Sequence, residues 1–262
     1  MTKVAAITGA SSGIGRETAK HFARKGWKVY NLSRRPSREA GVTDIAADVT
    51  AEEDIKIAFA QIQAESGRLD LLVNNAGFGI SGAVEFTELS DARSQFDVNF
   101  FGTLNCIKVA LPLLKESQGR IICISSAAAI FAIPFQSFYS ATKAAINILV
   151  CSLANELKPF KVSICVLQLG DVKTDFTGSR VKSYAGDDVY GGAIGRSVAV
   201  MEKDEQSGMS PVTIAAAIYK TAHRRKLKPI YTVGTMYKLF VFLNKLLPNS
   251  FVNFIIGKMY IK

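Results

Sequence analysis

Apolar residues fall along this chain in short blocks closed by turn residues, and the blocks alternate with stretches of helical period. Lys3 to Thr8 forms an apolar run closed by Gly9, and apolar positions at helix spacing follow from Ile14 to Lys25, which predicts a strand, a tight turn and a helix. Two further runs, Trp27 to Leu32 and Val42 to Ala47, predict strands that stop at Ser33-Arg34-Arg35-Pro36 and at Asp48. A helix over Glu52 to Ala64 leads to a fourth strand, Leu69 to Val73, which ends in Asn74-Asn75-Ala76-Gly77. Helices over Asp91 to Val98 and Gly102 to Lys115 precede a strand at Arg120 to Ile124. A helix over Phe138 to Leu157 precedes a strand at Val162 to Leu167.

These six strands are near-continuously apolar and do not alternate with polar positions, the signature of a parallel sheet covered on both faces. The expected fold is therefore α/β, a single-domain doubly wound parallel sheet spanning residues 1–262. Beyond Thr174 the pattern loosens. Glycines and polar residues over 175–210 predict a mobile insertion above the carboxyl edge of the sheet, where ligands bind in such folds. A helix (Val212 to His223), a short strand (Pro229 to Val233) and an apolar, basic tail over 234–262 complete the chain. Within the tail, Tyr237 to Ile261 reads as two short amphipathic helices around Pro248.

Composition agrees with one sizeable core: 48% of the 262 residues are apolar and 21% are charged, with no sustained repeat. Four cysteines (Cys106, Cys123, Cys151, Cys165) stand in no metal-ligand or disulfide spacing, so no metal is expected and reduced thiols are. The amino terminus lacks the apolar core of a signal peptide, and Lys238, Lys245, Pro248 and Lys258 interrupt the greasiest region. The expectation is a cytoplasmic protein that does not span a membrane. Its net charge of +10 is unevenly placed: from Gln206 to Lys262 there are nine Lys/Arg and no Asp or Glu, whereas the remainder is almost balanced.

The residues just after the strands carry the candidate chemistry. Gly9, Gly13 and Gly15 in Thr8-Gly9-Ala10-Ser11-Ser12-Gly13-Ile14-Gly15 let the backbone turn sharply where a helix amino terminus offers free N–H groups to a phosphate. At the end of the second strand, where an acidic residue would hold a ribose 2′-hydroxyl, stand Ser33, Arg34 and Arg35. Their guanidinium groups suit a 2′-phosphate, favouring NADP(H) over NAD(H), or else they are solvated loop charges. Tyr139 and Lys143 lie four apart on one helix face, an arrangement in which an ammonium lowers the pKa of a phenol. Ser125 and Ser126 follow the fifth strand, where a hydroxyl can reach a substrate carbonyl.

Taken in order, the glycine turn, Asp48-Val49, Asn74-Asn75-Ala76-Gly77, Asn99, Ser126 and Tyr139-Ser140-Ala141-Thr142-Lys143 resemble the short-chain dehydrogenase/reductase family over residues 3 to 233. That resemblance implies a Rossmann-type fold and a hydride transfer between a nicotinamide and a carbonyl or alcohol. It implies that Tyr139 is the general acid/base, that Ser126 orients and polarises the carbonyl, and that Lys143 binds the nicotinamide ribose and tunes Tyr139. By the same resemblance Asn99 holds a water in a relay to Lys143. The cofactor is then held by Gly9, Ser11, Ser12, Gly13, Ile14, Gly15, Ser33, Arg34, Asp48, Val49, Asn75, Ala76, Gly77, Tyr139, Lys143, Val172 and Thr174. One departure stands out: the usual Pro-Gly pair after the sixth strand is Leu169-Gly170 here, which puts the rigidity of that edge in question and leaves Asp171 and Lys173 as solvated loop charges.

Ile130, Phe131, Phe135, Phe138, Phe176, Tyr184 and Tyr190 offer an apolar lining for a bulky hydrophobic substrate of steroid, retinoid or acyl type, or else belong to core and subunit contacts. The expected assembly is a homodimer or homotetramer. The tail docks on the insertion, on another subunit (the preferred reading) or peripherally on an anionic membrane surface. No nucleic-acid partner is expected, because the basic residues are interleaved with core-type positions. Two other functions fit the same motifs: a sugar epimerase or dehydratase, disfavoured by the glycine spacing, and a catalytically idle NADP(H)-binding redox sensor.

Overall fold

The computed structural model describes residues 1–261; Lys262, the last basic residue of the tail, lies outside the described residues. The amino-terminal half runs β1 (Val4–Thr8), α1 (Gly13–Arg24), β2 (Lys28–Leu32), β3 (Val42–Ile45), α2 (Glu52–Ser66), β4 (Leu71–Asn74), a two-residue β5 (Ile80–Ser81), α3 (Leu89–Phe96) and α4 (Gly102–Ser117). It continues with β6 (Arg120–Ser126), α5 (Ser137–Glu156), β7 (Ser163–Leu169), α6 (Phe176–Ser179), β8 (Val181–Lys182), α7 (Ala193–Gln206), α8 (Pro211–Ala222), β9 (Ile230–Val233), α9 (Thr235–Asn244) and α10 (Asn249–Tyr260).

Seven strands pair in parallel in the order β3-β2-β1-β4-β6-β7-β9. Successive strand residues feed opposite faces. Val4 and Ala6 join a core with Ile55 and Phe59 of α2, Ile107 and Leu114 of α4, and Ile146 of α5. Ala5 and Ile7 join a second core with Phe22 of α1 and Ile214 and Ile218 of α8. Burial on both sides explains why the strands read as unbroken apolar runs. The strand order reverses between β1 and β4, so the crevice beyond their carboxyl ends is where a doubly wound sheet receives its ligand.

The segment over 175–210 is more regular than the sequence predicts. The fourteen-residue α7 occupies its second half, and β8 pairs with β5 to form a two-stranded ribbon beside the main sheet. Glycines at 178, 186, 191 and 192 mask this in sequence because they cluster ahead of the helix. Ile194, Val198 and Met201 of α7 are nevertheless buried at a helical spacing against Ala83 and Tyr260. The tail forms the two predicted short helices, α9 beside β9 and α10 against α7.

Candidate active site

The first turn is shaped by what cannot fit in it. Gly9 (φ +66°) and Gly13 (φ +54°) adopt left-handed backbone, and a Cβ on Gly15 would stand 2.5 Å from the Gly9 carbonyl oxygen and the Asn75 amide. Asn75 Nδ2 donates to the Thr8 and Gly9 carbonyl oxygens at 3.0 and 3.2 Å, while the Thr8 hydroxyl accepts from the backbone N–H groups of Asn75 and Ala76. The ends of β1 and β4 are thereby tied together across the crevice. Asn31, a residue with no sequence signal of its own, completes the brace: its Oδ1 accepts from Ala10 N at 2.9 Å and its Nδ2 donates to Asp44. The Ser12 side chain makes no cap hydrogen bond and the first turn of α1 holds no acidic residue, so the helix end faces the cleft with its dipole uncompensated.

A cleft of about 970 Å³ runs from this turn along the carboxyl edge of the sheet. Ser11, Ser12, Gly13, Ile14, Ser33, Arg34, Asp48, Val49, Asn75, Ala76, Gly77, Ser126, Tyr139, Lys143, Val172 and Thr174 all line it, whereas Gly15 and Asn99 support it from behind. Asp48 does not stand free. It accepts from the Thr50 N–H and hydroxyl and lies 3.8 Å from Arg34; burial would raise its carboxyl, but these partners outweigh it and hold the pKa below the usual range. Arg38, which no motif marks, joins Arg34 and Arg35 at this end of the cleft; it sits in left-handed backbone (φ +58°), a placement that sequence does not signal.

At the other end, Tyr139 sits in the first turn of α5 and Lys143 one turn on. Lys143 is 5% exposed, its Nζ donates to the Ile124 carbonyl at 3.0 Å, and it lies 5.6 Å from the Tyr139 ring centre. The expected lowering of the phenol pKa is not what this environment produces. Burial pushes Tyr139 up to about 12, with the Ser126 hydroxyl and Arg180 acting the other way, and the same desolvation pushes Lys143 down to about 8.

Asn99 is fully buried in a π-helical turn, Asp97–Phe101, between α3 and α4. Its Oδ1 accepts from Phe78 N, and its Nδ2 donates to Phe78 O and to the Thr142 hydroxyl, at 3.0 to 3.1 Å. The side chain pins the segment after Gly77 to α5, a stronger engagement than an ordinary helix-interior amide would have. Gly77 brings the two side chains to one spot: a Cβ there would be 2.9 Å from Asn99 Oδ1 and 3.6 Å from Lys143 Nζ.

The edge after β7 is firm without its proline. Val172 bridges to Met209, flanked by Lys173 N to Met209 O and Met209 N to Asp171 O hydrogen bonds at 2.9 Å. The Tyr237 ring fills the space over Gly170, and its hydroxyl donates to Asp171. Asp171 is therefore not a solvated loop charge: it lines the cleft, and burial raises its carboxyl despite that hydrogen bond. Lys173 is exposed, as expected.

The substrate end differs most from the sequence reading. Of the seven expected aromatic and aliphatic residues only Phe176 lines the cleft, its ring 5.8 Å from that of Tyr139. Phe135 and Tyr190 meet edge to face at 5.5 Å, and Tyr190 donates to Glu85, away from the cleft. Their places are taken by Ile133, Met201 and, from the far end of the chain, Tyr260, with Glu205 beside them. Glu205 is held by the Thr177 hydroxyl and by the buried Arg180 guanidinium.

The glycine cradle, the uncapped helix end and a cleft of this volume suit a nicotinamide dinucleotide. The sequence profile described as short chain dehydrogenase matches residues 3–185. A 3-ketodihydrosphingosine reductase of Bacteroides thetaiotaomicron is 38% identical over 260 residues, covering 97% of this chain and 96% of its own. Among solved structures, a short-chain dehydrogenase of Streptomyces avermitilis superposes with a TM-score of 0.82 at 29% identity, covering 94% of this chain and 93% of its own. ElxO with NADP bound does so with a TM-score of 0.76 at 26% identity, covering 91% of this chain and all of its own.

Proposed function

This chain belongs to the short-chain dehydrogenase family of oxidoreductases, and on that premise we propose that it is an NADPH-dependent reductase of a long-chain, hydrophobic ketone. The observation that carries the reading is the enclosure of Lys143 beside Tyr139 at the carboxyl end of β6, opposite the glycine turn. When bound, the nicotinamide supplies the hydride for the carbonyl carbon.

The chain's own residues do the rest. Ser126 Oγ, at the end of β6, orients the carbonyl oxygen, and Tyr139 Oη delivers the proton that this oxygen needs as negative charge develops on it. The Tyr139 phenol, its pKa raised by burial, carries the proton that reduction of a carbonyl consumes. Lys143 lies close enough to stabilise the phenolate left behind, and Asn99 ties the Phe78 backbone to Thr142 of the same helix. Gly9, Ser11, Ser12, Gly13, Ile14 and Gly15 receive the pyrophosphate at the α1 terminus; Asp48 and Val49 flank the adenine; Asn75, Ala76 and Gly77 line the cofactor; Val172 and Thr174 meet the carboxamide.

Three guanidinium groups, of Arg34, Arg35 and Arg38, with no unpaired carboxylate between them and the cleft, support NADPH over NADH. The apolar end formed by Ile133, Phe176, Met201 and Tyr260 supports a lipid-like chain, and the name of the bacterial relative points to the sphingoid class. Homodimeric or homotetrameric assembly remains part of this reading. The test is loss of reduced-nicotinamide absorbance with 3-ketodihydrosphingosine, steroid, retinoid and short-chain ketones, each with NADPH and NADH. Turnover of the long-chain ketone with NADPH is expected; binding of NADPH with no turnover of any carbonyl would leave a redox sensor instead.

A further inference from the structure

The two terminal helices turn their greasier faces away from the protein. In α9 the inward stripe is Tyr237, Val241 and Asn244; in α10 it is Val252, Ile256 and Tyr260, each set at helical spacing. The outward faces carry Phe242 and Phe254, each 58% exposed, with Leu239, Leu246, Phe251 and Met259 exposed beside them. Helices anchored in water on a protein surface show the opposite polarity, so this face is built for an apolar neighbour. Lys238, Lys245 and Lys258 are interspersed on it, and no acidic residue occurs after Gln206.

That charge pattern selects the neighbour. A second copy meeting this face across a two-fold axis would set ammonium groups against ammonium groups with no carboxylate to pair them. An interface of acyl chains below anionic headgroups satisfies both features at once, with the aromatic rings buried and the lysines at headgroup level. The Lys258 nitrogen already rests 4.9 Å from the Phe254 ring centre, a short reach from apolar face to polar rim.

We propose that the outward face of α9 and α10 docks on an anionic lipid bilayer and holds the cleft mouth at its surface. The link to the mouth is Tyr260, which ends α10, packs on α7 and lines the cleft. A long-chain ketone dissolved in the bilayer then enters the cleft without crossing water, a consequence that rests on the reductase reading above. Docking differs from insertion: among the described residues no helix is long and apolar enough to cross a membrane.

Full-length protein is sedimented with vesicles of phosphatidylcholine containing 30 mol% phosphatidylglycerol, a test composition on the order of a natural anionic leaflet, and with pure phosphatidylcholine vesicles. Binding to the anionic vesicles, abolished by high salt, is expected. The triple variant Lys238→Gln, Lys245→Gln, Lys258→Gln is expected to weaken it about a hundredfold, and Phe242→Ser with Phe254→Ser at least about tenfold, both with unchanged Tm and NADPH affinity. Binding to neither vesicle, binding indifferent to lipid charge, or a dimer in sedimentation velocity dissolved by the same substitutions each overturns the proposal; the last assigns the face to a second copy. A water-soluble ketone assayed without vesicles reports on the reductase separately, so lipid binding and catalysis can fail independently.

Discussion

Lys143 Nζ donates its hydrogen bond to the Ile124 carbonyl at 3.0 Å and reaches Tyr139 only through space, 5.6 Å from the ring centre. The lysine is therefore fixed by the sheet and not by the phenol it serves. Because its charged form is penalised by burial, its pKa near 8 lies well below that of an unfolded lysine. Between these two values the unfolded chain binds more protons than the native one, so native stability rises as pH increases from about 8 toward 10. Lys143→Met removes the penalty. Its nucleotide-free form is expected to be more stable than wild type at pH 7, by up to about 3 kcal/mol, and to lose the rise between pH 8 and 10. Thermal melts across pH check this; a melting curve for Lys143→Met with the wild-type pH slope contradicts it.

Tyr139→Phe removes only the transferable proton. The expected outcome is a fall in kcat of about a thousandfold with NADPH affinity within about threefold, measured by single turnover and by fluorescence titration. A variant that keeps most of its rate would move the acid to another group.

Arg38→Ala is expected to weaken NADPH binding about tenfold, the loss of one charge-assisted contact, and to leave NADH binding unchanged. Arg34→Ala should do less, because Arg34 is 79% exposed and shares its charge with Asp48 at 3.8 Å. Equal losses for both nucleotides would show that these side chains do not meet a 2′-phosphate.

Gly15→Ala drives a methyl group into the Gly9 carbonyl and the Asn75 amide, both backed by the β1 and β4 ends. Rigid neighbours give little, so a loss of about 2 to 4 kcal/mol in stability is expected, with nucleotide binding abolished as the turn deforms. Calorimetry and titration report the two effects; a variant with wild-type stability would mean that the turn relaxes freely.

The chain's pattern revealed the sheet because burial on both faces makes each strand apolar throughout; it put Gly9 to Gly15 and Ser126 at strand ends and Tyr139 and Lys143 on one helix face, where the structure has them, whereas Asn99 came only from the family resemblance. It did not reveal α7, whose apolar positions at 194, 198 and 201 are preceded by turn-forming glycines. It placed Phe135 and Tyr190 at the substrate end, yet they satisfy each other and Glu85 instead. Tyr260 and Arg38 were invisible for a different reason: one reaches the cleft from the far end of the chain and the other through a left-handed residue, and no local period encodes either. Asp171 looked like a loop charge because its partner, Tyr237, lies 66 positions away.

That last pairing has a mechanical meaning. With Gly170 offering no side chain, the Tyr237 ring sits over the exit of β7 and its hydroxyl grips the next residue, so the terminal helices and the wall carrying Val172 and Thr174 form one latch. Whatever prises α9 outward unfastens the cleft wall beyond β7 with it.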